Sequence, residues 1–339
     1  MTTKVLLFSN VLVENDFDSM RRHHTYKTQL SLKSKNTVEL TISKNISKLC
    51  NEHSFTIGCD CYEVISLPDP FLSFFEYITI GIFKRKKHRL QVQCHGDFGD
   101  SEWQNLNFKN FLFSKLAWIA LKAADQIRCV GKNQAKNLIS AYKIDSAKIV
   151  IAPIPTKDKG DLPEWIKPTI PVVSFLGRLH KERSVDLWVQ TAQEIFSTRN
   201  DVHFLIIGDG PERENFQNGM SNIPANQLSF VGKLPNEEAL ELMAKSSVLL
   251  STAPFESFGM AMVEAAKIGL PIVSKPTSGA LDLSEGYDSI SLGNTPKELA
   301  GLSLAALNRE APGVISDSLF LQSENETVDA IVDAWIKLL

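Results

Sequence analysis

The sequence predicts an α/β protein made of two domains, each a parallel β-sheet with helices on both faces. Three observations carry this prediction. The chain has 339 residues, which is more than one hydrophobic core usually serves. Short apolar runs alternate with segments of helical length in both halves, as expected for parallel sheets. Five prolines fall between positions 153 and 171, a composition typical of a connection between domains.

The first half begins with a strand and then alternates. The run KVLLF at Lys4–Phe8 suits a buried parallel strand, and TVELTI at Thr37–Ile42 alternates as a strand does. The apolar stretch Phe111–Leu121 is predicted to be core. The strands predicted here are Lys4–Phe8, Thr37–Ile42, Leu90–Cys94, Gln126–Val130 and Lys148–Ile151, and the helices are Phe17–Leu32, Phe71–Phe83, Phe108–Ala123 and Asn133–Ala141.

The second half repeats the alternation more regularly. Its predicted strands are Val172–Leu176, His203–Ile207, Leu228–Val231, Val248–Ser251 and Pro271–Ser274, and its helices are Ser184–Phe196, Glu237–Lys245 and Met260–Ile268. We therefore expect an N-terminal domain over 1–156, a linker over 157–170 and a C-terminal domain over 171–322. A last helix over 323–339 is expected to pack back towards the N-terminal domain.

Composition is that of a globular protein without a membrane span. No apolar run reaches the roughly 18 residues that a span needs. The first residues lack the apolar region of a signal peptide, which predicts a cytoplasmic protein, at most peripheral at the inner face of the membrane. The five cysteines have no framework spacing and are predicted to be free thiols. Cys59 and Cys61 with His53 lack a further ligand group, so no metal site is predicted.

Charge is distributed unevenly along the chain. Residues 1–150 carry 21 Lys and Arg against 14 Asp and Glu, and the remainder carries 15 against 25. A basic first half predicts an anionic partner, and the lack of a nucleic-acid motif favours a membrane surface or a lipid-linked acceptor. The basic run Lys84–Arg89 after the apolar Phe71–Phe83 is the candidate for peripheral membrane contact. A buried helix that ends in cations explains the same run and is slightly favoured.

Two arginines follow the first strand of the second half. Gly177-Arg178-Leu179 comes directly after Val172–Leu176, and Arg183 stands at the entrance to the next helix. Ligands of parallel α/β sheets bind beyond the carboxyl ends of the strands, where both guanidinium groups are therefore expected. Guanidinium groups bind a diphosphate bidentately. The alternative is a pair of exposed surface arginines.

A second candidate loop, Pro254–Met260, leads into the predicted helix Met260–Ile268. Gly259 at the helix entrance would let an anion reach the backbone N–H groups of the first turn. Glu256 in the loop can accept hydrogen bonds from sugar hydroxyls, and Glu264 is placed one turn into the helix to hold ribose hydroxyls. Either glutamate alone is more often a solvated helix residue.

Two further signals are weaker. Gly208-Asp209-Gly210 resembles the start of a dinucleotide fingerprint, but Arg213 replaces the third glycine. A tight turn beneath a nucleotide pocket is therefore favoured for these glycines. His95 follows the predicted strand Leu90–Cys94, where it can share or polarise a proton. A structural or surface role is equally favoured for a lone histidine.

The order of these motifs resembles one family. Gly177-Arg178-Leu179 with Glu182-Arg183 is followed by GDGP at 208–211, FVG at 230–232 and ESFGMAMVE at Glu256–Glu264. The last stretch, with AAKIGLPIV after it, is similar to the paired-glutamate motif of the retaining glycosyltransferases of the GT-B fold that are numbered family four. The resemblance is strong from Val172 to Asp282 and loose in the first half.

The resemblance implies a GT-B fold, in which two Rossmann-like domains face each other across a cleft. It implies that Arg178 and Arg183 bind the donor diphosphate, that Glu256 contacts the transferred sugar and that Glu264 holds the ribose. The Ser257–Met260 backbone would cradle the phosphates, Lys233 and Leu234 would frame the base, and His95 would be the cleft histidine. The catalytic residues implied are His95, Glu256, Arg178 and Arg183, and the donor-binding residues are Gly177, Lys233, Leu234, Ser257, Phe258, Gly259, Met260 and Glu264.

The resemblance also implies the reaction. Sugar would pass, with retention and without a metal, from a UDP- or GDP-sugar to a hydroxyl of a glycan, glycolipid or small-molecule acceptor, as in cell-surface polysaccharide or glycoconjugate biosynthesis. No other cofactor is expected. The sequence departs from the family at Ser9–Asp18, which lacks the Gly-Gly loop, and at Arg183, where lysine is usual. A non-hydrolysing sugar-nucleotide epimerase and a non-catalytic nucleotide-sugar-binding relative are the alternatives. A nicotinamide oxidoreductase would need a complete glycine fingerprint, which the sequence lacks.

Overall fold

The computed structural model of the chain describes residues 3–8, 38–43, 64–67, 89–316 and 318–338. The predicted helices Phe17–Leu32 and Phe71–Phe83, the segment Ser9–Asp18 and residues 84–88 of the basic run lie outside these ranges. The strands are β1 Thr3–Phe8, β2 Val38–Ser43, β3 Val64–Leu67, β4 Arg89–Cys94, β5 Gln126–Cys129, β6 Ile149–Ile151, β7 Val172–Leu176, β8 His203–Ile207, β9 Leu228–Gly232, β10 Val248–Ser251, β11 Ile272–Ser274 and β12 Ile290–Leu292. The helices are α1 Ser101–Asn105, α2 Phe108–Ala123, α3 Lys132–Tyr142, α4 Val185–Thr198, α5 Arg213–Gly219, α6 Asn236–Ala244, α7 Met260–Ile268, α8 Ser278–Ser284, α9 Pro296–Ala306 and α10 Glu324–Ile336.

Two six-stranded sheets organise these elements. The first has the order β2-β1-β3-β4-β5-β6 and the second the order β12-β11-β10-β7-β8-β9. Every strand pair within each sheet is parallel. The predicted α/β class with parallel sheets is confirmed. No helix within the described ranges is long and apolar enough to cross a membrane.

The chain divides into two compact units. The first unit comprises Met1–Pro155 and Glu324–Leu339, and the second comprises Thr156–Ser323. The segment predicted as a linker, 157–170, makes its backbone contacts with the second unit, since Ile166 N donates to Ala244 O at 2.9 Å. Trp165 Nε1 also donates to Ser246 O at 2.8 Å.

Aromatic rings fill the core of the second unit. Trp188 on α4 is fully buried, with its ring centroid 5.0 Å from that of Phe216 and 6.0 Å from that of Phe204. Its indole N–H donates to Leu250 O at 3.1 Å, which ties α4 to β10. Edge-to-face aromatic pairs of this kind add roughly 0.5–1.5 kcal/mol beyond the burial of their surface. The sheet that carries the candidate loops therefore rests on a tightly packed layer.

The C-terminal helix α10 packs within the first unit. Trp335 is 1% exposed and its indole N–H donates to Gln91 Oε1 at 2.8 Å. Gln91 Nε2 donates in turn to Gln126 Oε1, and Gln126 Nε2 donates to Ala334 O at 3.0 Å. This chain of hydrogen bonds holds α10 against β4 and β5. Because each buried polar atom in it has a partner, the contact avoids the cost of unpaired buried amides.

Helix α2 differs from the expectation that its apolar stretch is core. Ser114, Ala117, Ala120 and Leu121 are buried, whereas the large side chains on the other side are exposed. The exposed large side chains of α2 are Phe108, Phe111, Leu112, Trp118 and Ile119. The face of α2 that packs on the first core is thus made mostly of small residues, and burial follows residue position and not residue hydrophobicity.

Candidate active site

The predicted site residues of the second unit gather at the carboxyl ends of neighbouring strands. The sheet order places β10, β7, β8 and β9 side by side, and all four run in the same direction. The loops that follow them therefore meet at one edge of the sheet. All predicted site residues except His95 lie in these loops or in α7, which follows β10.

Backbone hydrogen bonds join the loops after β7, β8 and β9. Leu179 N donates to Asp209 O at 3.0 Å, and Gly208 N donates to Gly232 O at 2.8 Å. A Cβ atom on Gly208 would lie 1.8 Å from Gly177 O, so only glycine allows this approach. Gly208 and Gly210 thus serve close packing of adjacent loops: Gly208 lies against Gly177, a predicted donor-binding residue, and Gly210 lies against Leu179.

Two of the predicted catalytic residues, Arg183 and Glu256, form an ion pair. Arg183 Nη1 donates to Glu256 Oε2, with the side chains 41% and 20% exposed. Thr252, which follows β10, holds the backbone of Arg183, because its hydroxyl donates to Arg183 O at 2.9 Å. The sequence did not identify Thr252. A partly exposed pair of this kind contributes only about 0–1 kcal/mol, so a ligand can exchange with either partner.

Arg178 lies in the same loop and makes a different contact. Its Nη2 is 3.3 Å from Glu182 Oε2, and the two side chains are 54% and 73% exposed. Ion pairs between exposed side chains are weak, so this guanidinium can leave Glu182 for an anionic ligand at little cost. The structure does not pair Arg178 with Glu256.

Gly259 connects the β10 loop to α7 in a left-handed conformation, with φ +78°. A Cβ there would lie 2.3 Å from Met262 Cε and 3.2 Å from Glu256 Cγ. The nearby Ser257 and Phe258 are buried, and the Phe258 ring packs on Phe320 with centroids 4.8 Å apart. The loop therefore reaches the start of α7 in one tight conformation. The first-turn N–H groups of a helix are suited to binding an anion.

Glu264, one turn further along α7, is 3% exposed. Burial raises the pKa of its carboxyl to about 7, against the lowering effects of Asn236, Lys157 and Lys267. Asn236 Nδ2 is 3.5 Å from Glu264 Oε1, and Asn236 Oδ1 is buried without a hydrogen-bond partner in the described part of the chain. A carboxyl and an unpaired amide oxygen together can accept from the vicinal hydroxyls of a ribose.

The remaining predicted residues take varied positions. Lys233 is exposed and Leu234 half-buried, and both follow Gly232, whose φ is +75°. Met260 is the first residue of α7. His95 belongs to the first unit, where it follows β4 and is exposed. Its Nε2 lies 3.2 Å from Gln93 Oε1.

The part of the chain that the structure describes contains no cluster of side chains that could bind a metal ion. No group of three His, Cys, Asp or Glu side chains there could hold an ion. Cys94 and Cys129 are buried free thiols on adjacent strands. Burial raises the pKa of the Cys129 thiol to about 12, which makes it an inert core residue.

Comparison with known proteins finds a family that resembles most of the second unit. Residues 163–310 match glycosyl transferases group 1. The phosphatidylinositol N-acetylglucosaminyltransferase GPI3 subunit of Saccharomyces cerevisiae is 26% identical over 187 residues, which cover 51% of this chain and 40% of that protein. The 2-deoxystreptamine glucosyltransferase of Streptomyces kanamyceticus is 31% identical over 134 residues, which cover 39% of this chain and 34% of that protein. The chain thus matches well under half the length of these curated relatives.

Solved structures resemble the chain over its whole length. Anabaena HepE in complex with UDP and glucose has a TM-score of 0.64 at 15% identity, covering 100% of this chain and 97% of that one. Sucrose-phosphate synthase from Thermosynechococcus elongatus has a TM-score of 0.68 at 11% identity, covering 98% and 95%. At such identities the likeness concerns the fold. The chain therefore has the fold of the GT-B glycosyltransferases, and its residues 163–310 are similar to the family glycosyl transferases group 1.

Proposed function

We propose that the protein is a retaining, metal-independent glycosyltransferase. It moves a sugar from a nucleoside-diphosphate sugar, a UDP- or GDP-sugar, to a hydroxyl of a glycan, glycolipid or small-molecule acceptor. The second unit holds the donor and the first unit holds the acceptor. HepE binds UDP and glucose, which makes UDP the first nucleotide to test.

The ion pair of Arg183 and Glu256 is the observation that carries this proposal. It sets a cation beside a carboxylate at the entrance to α7, whose N-terminus favours negative charge. In a sugar nucleotide the sugar hydroxyls adjoin a diphosphate. A carboxylate for the hydroxyls and a guanidinium for the phosphate match that arrangement, and buried Glu264 with Asn236 supplies acceptors for the ribose.

The chemistry assigned to each group follows from its charge. As the bond between sugar and diphosphate breaks, negative charge grows on the leaving phosphate. Arg183, Arg178 and the first turn of α7 neutralise that charge, and this electrostatic stabilisation lowers the barrier. Glu256 orients the sugar through its hydroxyls. His95 in the first unit acts on a hydroxyl proton of the acceptor.

The acceptor and the cellular setting are proposed at a coarser level. The names of the relatives specify a phosphatidylinositol in one case and a 2-deoxystreptamine in another, so the acceptor is given only as a hydroxyl compound. We assign the protein to cytoplasmic glycoconjugate or cell-surface polysaccharide synthesis. Peripheral membrane contact through Lys84–Arg89 is part of this proposal, and its one described member, Arg89, pairs with Asp125 at 3.3 Å.

A thermal-unfolding screen of the purified chain tests the donor site. The ligands are UDP, GDP, ADP, TDP and NAD, each with and without Mg²⁺. A ligand at 100 times its dissociation constant stabilises the folded state by about 2.7 kcal/mol. We expect one nucleoside diphosphate to stabilise the chain without Mg²⁺. Stabilisation by NAD alone, or by no ligand, would contradict the proposal.

A product analysis then separates transfer from the alternatives. The chain is incubated with the sugar form of the nucleotide that binds, with and without a panel of hydroxyl acceptors. Retention predicts that the anomeric configuration in the product, read by NMR coupling constants, equals that of the donor. An altered free sugar nucleotide formed without an acceptor would indicate an epimerase, and binding without any turnover would indicate a binding protein.

A further inference from the structure

Strands β4 and β5 carry two cross-strand polar pairs on one face of the first sheet. The register aligns Gln91 with Gln126 and, two residues on, Gln93 with Arg128. The first pair holds helix α10 through Trp335. The second pair has another connection, because Gln93 Oε1 lies 2.8 Å from Arg128 Nη1 and 3.2 Å from His95 Nε2.

Arg128 is a buried cation whose described partners are all neutral. It is 5% exposed, and it donates from Nε to Ala152 O at 3.0 Å and from Nη2 to Pro153 O at 2.8 Å. Its third acceptor is Gln93 Oε1. Burying a guanidinium without a carboxylate is costly, and burial lowers the pKa of Arg128 to about 10. Two of its donors serve the backbone carbonyls of Ala152 and Pro153, and the remaining one is directed at the Gln93 amide.

The hydrogen-bonding chemistry of this triad has one consistent solution. A guanidinium can only donate, so the Gln93 side-chain atom that faces Arg128 is the oxygen and not the nitrogen. That oxygen can only accept, so the His95 nitrogen that faces it carries a proton. In the neutral ring the proton is then on Nε2, and Nδ1 is the acceptor. Arg128 thus determines the orientation of the Gln93 amide, and the amide determines the tautomer of His95.

We propose that Gln93 and Arg128 are positioning residues that hold His95 as the Nε2–H tautomer, so that Nδ1 is the basic nitrogen of the ring during transfer. This inference rests on the proposed transferase function for the role of His95. The arrangement itself does not, because it follows from contacts within the first unit. Gln93 and Arg128 need not touch a substrate.

Nuclear magnetic resonance on the intact chain tests the arrangement without an activity assay. Long-range ¹H–¹⁵N correlations of a [¹⁵N]histidine-labelled sample give the tautomer of each ring, and the His95→Asn variant identifies the His95 signals. We expect Nε2 protonated, with a slowly exchanging Hε2 that is lost in Gln93→Met and kept in Gln93→Glu. Protonation at Nδ1 with Nε2 bare, or an Hε2 that is unchanged in Gln93→Met, would overturn the proposal.

A double-mutant cycle tests whether Gln93 acts through His95. The cycle compares Gln93→Met, His95→Ala and the double variant in single-turnover transfer from the sugar nucleotide that binds. We expect Gln93→Met to slow transfer about tenfold or more while the dissociation constant of the nucleoside diphosphate stays the same. In the His95→Ala background the same change should have less than about a twofold effect. Effects that multiply in the double variant would show that Gln93 acts elsewhere and would overturn the proposal.

The two arms separate failure of the inference from failure of the proposed function. If the unmodified chain binds no sugar nucleotide, the transferase proposal fails, and the His95 spectra still decide the arrangement. If transfer occurs and the cycle shows independent effects, the function stands and the positioning role falls. Should Gln93→Met unfold, the transfer rate of Gln93→Glu tests the proposal in place of the cycle. This variant keeps an acceptor for both donors and is expected to retain at least half of the transfer rate, so a tenfold loss there would count against the proposal.

Discussion

Burial gives the Glu264 carboxyl a pKa of about 7, so its charge changes close to neutral pH. The folded state binds this proton more tightly than the unfolded state, in which the ordinary value is 4.5. The contribution of this group to the free energy of unfolding is therefore complete below pH 4.5. It is lost as pH rises through about 7, which lowers the free energy of unfolding by up to about 3 kcal/mol.

Replacing Glu264 by glutamine should remove that pH dependence. Glutamine resembles the protonated acid, so Glu264→Gln is expected to unfold at higher denaturant concentration than the natural chain at pH 8 and at the same concentration at pH 4.5. Urea melts followed by tryptophan fluorescence measure this. Glu241→Gln, at an exposed position on α6, is the matched control and should show no difference. Equal midpoints for Glu264→Gln and the natural chain at pH 8 would show that the carboxylate is not destabilised by burial.

Arg183 is expected to contribute to donor binding and little to folding. Removing one charged hydrogen bond to phosphate costs about 1.5–3 kcal/mol, so Arg183→Ala should weaken UDP binding about 10- to 100-fold in calorimetric titration. The loss of its half-exposed pair with Glu256 should barely change the melting temperature.

The control for Arg183 is Arg199, which pairs with Asp201 at 2.7 Å just before β8, at the opposite end of the sheet from the candidate loops. Arg199→Ala should leave UDP binding unchanged. Equal losses in the two variants would point to a general effect of charge and not to a phosphate site.

Glu256 should separate binding from transfer. Glu256→Gln frees Arg183 from its carboxylate partner, so UDP binding is expected to stay the same or tighten. Transfer should slow at least 100-fold, because an amide is a poorer acceptor than a carboxylate for the hydroxyls that position the sugar. The measurements are the dissociation constant of UDP and the single-turnover rate. Parallel loss of both would assign Glu256 to nucleotide binding.

At the scale of elements, the loops after β7 and β8 tolerate no side chain where they meet. Gly208→Ala places a Cβ 1.8 Å from Gly177 O, so the loops must separate. We expect a loss of stability of about 2 kcal/mol or more, together with weaker UDP binding, since the β7 loop carries Arg178 and Arg183. Thermal unfolding with and without UDP measures both effects.

Gly301→Ala is the control for Gly208→Ala, because the same substitution is expected to raise the stability there and not to lower it. Gly301 lies within helix α9, and a Cβ there would have nothing within 4 Å. Gly301→Ala should stabilise the chain by up to about 1 kcal/mol, because alanine loses less backbone entropy than glycine in a helix. A stable Gly208→Ala variant that binds UDP normally would mean that the loops can separate without affecting the site.

The parallel α/β class was predictable because each strand is a short apolar run followed by a helix. Arg183 and Glu256 could likewise be placed at strand ends from the sequence. Their ion pair could not be predicted, because it depends on β10 lying beside β7, and the order of strands in a sheet is a long-range property. Helix α9 was missed although Thr295 and Glu298 form a capping box and Pro296 is the first residue of the helix, two signals of a helix start. Arg128 was missed because a strand pattern does not reveal a charged residue that is buried.

The whole chain should unfold in a way that reflects its two units. Deleting 324–339 removes Trp335 and its hydrogen bonds to Gln91 and Gln126 from the first unit, and leaves the second unit, 156–323, complete. We expect calorimetry of the deletion variant to show a lowered transition for the first unit and an unchanged one for the second. UDP should still raise the transition of the second unit. Loss of both transitions would show that the two units unfold as one.

The place of α10 also bears on synthesis of the chain. The first unit comprises segments on both sides of the second, Met1–Pro155 and Glu324–Leu339, so its core gains Trp335 only after the second unit has been translated. The second unit is complete in sequence once residue 323 has left the ribosome. Domains generally fold as they emerge, N-terminal first, and here that order is reversed for the final packing step. The second unit is therefore expected to fold on the ribosome before helix α10 packs against the first unit.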